Sequence, residues 1–115
     1  MELKDFTVSS ELLSEVLKLE VVKHSLFNKS SNTFNVTYMQ SEDSLKANWM
    51  PVNVYEFVFK CKEWAFKRGL NLWTDYLGNC QIQDKDFQLL HDCYSDTEIE
   101  CIIKASEWVL SEVNK

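Results

Sequence analysis

Four cysteines and two histidines are the residues of this sequence best equipped for chemistry, and their spacing decides what they could do. A nucleophilic cysteine needs a base to draw off its proton, and histidine is the usual one. The available partners are Cys93 or Cys101 with His91, and Cys80 with His24. His91 and Cys93 stand two apart, which puts them on one side of a strand but not of a helix. No local signature of a cysteine enzyme surrounds any of them, so these residues read as structural and the chain as non-catalytic.

A zinc site requires about four nitrogen or sulfur ligands, usually delivered in close pairs such as C-x-x-C. Here His91-Asp92-Cys93 is the nearest pairing and Cys101 follows eight positions later, with no second close pair, so no metal is expected. Asp84-Lys85-Asp86 resembles the start of a calcium loop but lacks the glycine and the distal glutamate such a loop needs. With two glycines in the whole chain, a phosphate-cradling loop and its cofactor are not expected either.

Charge narrows the partners. The 115 residues carry 18 acidic and 12 basic side chains, a net charge of −6. Arg68 is the one arginine, and no run of basic residues offers the clustered charge that phosphates demand, so direct nucleic-acid binding is disfavoured. The acidic balance suits instead a protein partner with a basic surface, or imitation of nucleic acid. The opening Met1-Glu2-Leu3-Lys4-Asp5 has neither the basic nor the apolar region of a secretory signal, and no apolar run reaches the ~20 residues of a membrane span. A cytoplasmic location with reduced Cys61, Cys80, Cys93 and Cys101, and no membrane association, is the expectation.

The elements that must position these residues follow from periodicity. Ser9 or Ser10 caps a first helix whose face is Leu12, Leu13, Val16 and Leu17. Alternation of Val22, His24 and Leu26, then of Phe34, Val36 and Tyr38, gives two strands joined by a turn at Asn28 to Asn32. Residues 41 to 52 read as a connector closed by Pro51. From Asn53, the residues Val54, Phe57, Val58, Cys61, Trp64 and Ala65 form one helical face that Gly69 terminates. Leu70, Leu72, Thr74 and Tyr76 make a strand that turns at Gly78-Asn79 into Cys80 to Gln83. The stretch from Asp84 to Asp92 suits a short helix or a third strand equally. Thr97 with Glu100 is a capping box for a last helix with the core face Ile99, Ile102, Ile103, Val109, Leu110 and Val113. One α+β domain over residues 1 to 115 is expected, antiparallel β hairpins packed with about three helices.

Both long helices carry a second apolar side. Tyr55, Phe59 and Phe66 lie nearly opposite the core face of the middle helix, and Cys101, Ala105 and Trp108 do the same on the last. Packing within the chain, a homodimer contact and a site for another protein would each use such stripes. Tyr55, Phe59, Phe66 and Trp108 are the candidate partner-binding residues.

The segments Asn53-Val54-Tyr55-Glu56-Phe57-Val58-Phe59-Lys60-Cys61-Lys62-Glu63-Trp64-Ala65 and Asp96-Thr97-Glu98-Ile99-Glu100-Cys101-Ile102-Ile103-Lys104-Ala105-Ser106-Glu107-Trp108, each an amphipathic helix ending in Glu-Trp, resemble helices of small phage and prophage accessory proteins. The resemblance covers residues 53 to 113. It implies an accessory viral product, a class in which inhibitors of bacterial defence proteins such as CRISPR effectors are common, and it carries over no catalytic residue. The function expected is a non-enzymatic protein-interaction module. The alternative is a small-molecule-binding protein or small enzyme with a pocket between sheet and helices, near Trp49, Trp73 and His91.

Overall fold

The computed structural model describes residues 8–25, 28, 30–39, 47–75 and 77–113. It is an α+β protein: α1 (Ser10–Leu17), β1 (Glu20–His24), β2 (Thr33–Met39), β3 (Ala47–Asn53), α2 (Val54–Phe66), β4 (Asn71–Thr74), β5 (Asn79–Gln83), β6 (Leu89–Tyr94) and α3 (Glu98–Val113). The strands form two antiparallel three-stranded sheets, ordered β1-β2-β3 and β4-β5-β6, so each strand pairs with its neighbour in sequence. The chain divides into two compact units, Met1–Phe57 and Val58–Lys115.

In the first unit, Ser9 caps α1 by accepting from the Leu12 amide at 3.1 Å, and Leu12, Leu13 and Val16 are buried beneath it. Phe34 and Val36 of β2 point inward while Asn35 is exposed, the period of two that a half-buried strand shows. Phe34 meets Phe57 edge to face, with ring centroids 5.8 Å apart. In β1 the inward residue is Val21, and Val22 is exposed. Leu26 and Tyr76, both assigned to strands by alternation, lie outside the described residues.

The expected connector is in part a strand. Residues 41 to 46 lie outside the described residues, but Ala47–Asn53 pairs along its whole length with β2, including Pro51 opposite Asn35. Proline donates nothing to a ladder, which confines it to an edge, and β3 is the edge of its sheet. The strand then passes into α2 without a linker. Asn53 makes the transition by accepting from the amides of Tyr55 at 2.9 Å and Glu56 at 3.2 Å. Asn53→Ala should therefore cost about 1 kcal/mol, the usual worth of an N-cap, read as a shifted urea midpoint at unchanged slope. An unchanged midpoint would show that the cap contributes nothing.

In the second unit, α2 ends in a Schellman motif: Gly69 has φ +81°, its amide bonds the Phe66 carbonyl and the Leu70 amide the Ala65 carbonyl. Val54, Phe57, Val58, Cys61, Trp64 and Ala65 are all buried, as the periodicity requires. The ambiguous segment resolves into a turn and a strand. Asp84 accepts the amides of Asp86 and Gln88 on its carboxylate, Phe87 sits at φ +62°, and β6 begins at Leu89. Ile99, Ile102, Ile103, Val109 and Leu110 of α3 are buried, but Val113 in the last turn is half exposed. Thr97 accepts the Glu100 amide at 3.2 Å, while Glu100 Oε1 is buried without a partner, so that oxygen does not complete the reciprocal box. No described helix is long and apolar enough to cross a membrane.

Candidate interaction surface and thiol cluster

Of the four residues singled out for partner binding, three are open to solvent: Tyr55 is 47% exposed, Phe59 62% and Phe66 69%. The second stripe of α2 is thus an outer face. On α3 the outcome differs. Cys101 and Ala105 are fully buried, so the stripe opposite the isoleucines is core as well. Trp108 is half-buried, and one face of its ring is taken by His91, stacked at 4.7 Å with the planes 6° apart.

Phe66 also lines a groove of about 930 Å³ within the second unit, together with Lys62, Lys67, Trp73, Lys85 and Phe87. Tyr55, Phe59 and Trp108 are not among its lining residues. Three local features build it. The Schellman turn at Gly69 sends the chain from α2 straight into β4; Trp73 sits on the face of β4 opposite buried Leu72; and the Asp84 turn carries Lys85 and Phe87 back to the same place. The lysine stem of residue 85 lies against Gly69, where an added Cβ would be 2.9 Å from its Cε. Trp73 and Phe87 are 56% and 73% exposed. Periodicity had no means of joining Phe87 to Phe66. The Asx turn that Asp84 makes two and four residues ahead was the available signal.

The groove's charge runs against that of the chain. It is lined by three lysines and one glutamate, Glu63, a local balance of +2 in a protein of net −6, so all other residues together carry −8. Lys62 reaches Thr74 Oγ1 at 3.3 Å, and that hydroxyl in turn donates to Glu98 at 2.8 Å. Arg68 lies over the Trp64 ring at 4.4 Å, a cation–π contact that uses the one guanidinium.

Of the histidines considered as bases, His24 in the first unit has Nε2 2.8 Å from the Val8 carbonyl and Nδ1 3.0 Å from the Ser25 carbonyl. His91 and Cys93 share a face of β6, as their spacing requires, but the histidine ring is committed to Trp108. Burial pushes the Cys61 thiol up to about 12, countered in part by a hydrogen bond with Ser106. Burial likewise raises Cys80 to about 12, helped by the neighbouring Cys93. Neither is a thiolate at neutral pH, and thiols are weak nucleophiles.

The same sheet gathers three sulfurs that linear spacing kept apart. Cys80 of β5 and Cys93 of β6 are directly opposite partners in the ladder. A three-residue turn then starts α3, whose first turn brings Cys101 over the strand, its Sγ 3.9 Å from that of Cys93 and 3.3 Å from the Cys93 carbonyl. All three sulfurs lie within 4.8 Å of one another. Cys80 and Cys101 are buried and Cys93 is half-buried.

No family model, curated protein or solved structure matches this chain.

Proposed function

We propose that the chain is a non-enzymatic protein-interaction module whose groove takes an acidic, amphipathic segment of a partner protein. The observation that carries this is the groove itself: Phe66, Trp73 and Phe87, each more than half exposed, ringed by Lys62, Lys67 and Lys85. Exposed aromatics in a shared depression are the residues that anchor interfaces. The lysines favour an acidic ligand, and the other residues, with a summed charge of −8, disfavour it on balance, which steers it to this spot. Walls that remain half in water would cover a small molecule on one side only, whereas small-molecule sites enclose most of their ligand. Phe59 extends the apolar face along α2. Such a module suits an inhibitor that occupies a bacterial defence protein such as a CRISPR effector, the role that the resemblance of residues 53 to 113 implies.

A photo-reactive phenylalanine analogue at position 66 or 87, introduced in bacterial cells, should cross-link to a protein, and to the same protein from both positions. Phe66→Ala with Trp73→Ala should then weaken the captured complex by about 30-fold or more, the equivalent of one hot-spot residue of about 2 kcal/mol. Cross-links to nucleic acid, no cross-link at all, or a complex indifferent to both alanines would each overturn the reading.

A further inference from the structure

We propose that Cys80, Cys93 and Cys101 form a three-sulfur site for one thiophilic, closed-shell cation, Cu⁺ or Zn²⁺. Sulfurs bound at ~2.3 Å around one ion stand about 3.8 Å apart in tetrahedral and about 4.0 Å apart in trigonal coordination. The Cys93 and Cys101 sulfurs are 3.9 Å apart, and the third is within 4.8 Å of both. An ion can therefore be seated by side-chain rotation alone.

Cys80 and Cys93 are fixed opposite each other by the β5–β6 register, and Cys101 by the start of a 16-residue helix. Ligands on rigid elements make more exact sites than ligands on loops. Half-buried Cys93 gives an ion a way in, while buried Cys80 and Cys101 keep water from competing once it is bound. No histidine or carboxylate among the described residues joins this sulfur group. An all-sulfur donor set selects soft ions over Mg²⁺ or Ca²⁺. Cu⁺ is satisfied by three sulfurs, and Zn²⁺ would add a water molecule at the Cys93 side, as it does wherever the protein supplies three ligands.

Charge and protons balance as follows. Each neutral thiol that coordinates gives its proton to solvent, so three thiols and Zn²⁺ yield a complex of charge −1 and three protons, and Cu⁺ yields −2 and three protons. The Lys62 ammonium, held at Thr74, the ladder partner of Cys80, favours negative charge at that sulfur and is opposed by the Glu98 carboxylate on the same hydroxyl. Packing alone would account for buried thiols singly, but it gives no reason for three to converge.

The test uses the full chain, reduced and stripped with chelator, titrated separately with Cu⁺ and Zn²⁺ against a competing chromogenic ligand, with Co²⁺ as the spectroscopic probe. One equivalent of Cu⁺ or Zn²⁺ should bind, and Co²⁺ should show sulfur-to-metal charge transfer of three-thiolate intensity. Cys93→Ala, the substitution least disturbing to the core, should weaken uptake by more than about 100-fold, since loss of even outer-shell support typically costs 10–100-fold. Cys61→Ala should leave uptake unchanged. The proposal is overturned if neither ion binds at one equivalent, or if Cys93→Ala, shown by circular dichroism to be folded, binds as the parent does.

Discussion

Gly78→Ala is expected to remove about 4 kcal/mol or more of folding stability, enough to unfold many domains of this size. Gly78 occupies the hairpin between β4 and β5 at φ +92°, where a side chain already costs about 1–2 kcal/mol. The larger cost is contact. An added Cβ would lie 1.9 Å from the Ser95 carbonyl oxygen and 3.1 Å from its carbon, both backbone atoms that cannot swing aside. Moving Ser95 would also break the bond from its amide to the Gly78 carbonyl, 2.9 Å long, which ties the hairpin to the segment between β6 and α3. Gly69 is the internal control. Its φ of +81° is similar, but its added Cβ would meet only the Lys85 side chain, which can rotate away. Gly69→Ala should cost about 1–2 kcal/mol. Urea unfolding of both variants checks the contrast, and equal losses would show that the Ser95 contact is not what constrains position 78.

Phe57→Ala should cost about 3–5 kcal/mol, the range for truncating a buried phenylalanine. Phe57 has no solvent exposure and Phe34 has 2%. Their rings cross at 85°, an arrangement worth about 0.5–1.5 kcal/mol beyond the area it buries. His24 also meets Phe34 edge to face, with ring centroids 6.2 Å apart, so the cavity would open beside a ring that has a second aromatic neighbour. Phe57→Leu, which keeps most of the volume, should lose less than half as much. A double-mutant cycle with Phe34→Leu should return a coupling of about 1 kcal/mol. Additive losses would mean that the two rings contribute only by burial.

Legibility in the sequence followed how local each signal is. The core face of α2 was readable to the residue, because Val54 to Ala65 repeat at the helical period with no competing pattern. The first-helix cap, narrowed to Ser9 or Ser10, the Gly69 stop and the Gly78 turn were readable for a similar reason, since each acts within four residues of itself. β3 was not, because Pro51 signals a break and only the pairing with β2 shows that an edge strand tolerates it. Val113 was assigned to the core from periodicity, but the last turn of α3 extends past what covers it. The candidate site was legible in part. Helix geometry put Tyr55, Phe59 and Phe66 opposite the core face of α2 without deciding whether anything covers them, and they are exposed, while Cys101 and Ala105, placed the same way on α3, are buried because α3 packs on all three strands β4, β5 and β6. Neither the groove nor the thiol cluster could be read along the chain. Phe66 shares a groove with Phe87, and Cys80 pairs with Cys93, only through strand register and a turn whose conformation is set by Asp84.

The order of strands in the two sheets has a kinetic consequence. Because β1-β2-β3 and β4-β5-β6 each pair in sequence, neither sheet contains a crossover. The entropy of loop closure grows with the logarithm of the segment to be closed, so each pairing here requires only a short search. Hairpins form in about 1–10 μs, and a sheet assembled by adding the next strand to the last reaches its native contacts without first ordering a distant segment. The sequence separations typical of sandwiches and parallel sheets, which slow their folding to milliseconds or seconds, are absent from both ladders.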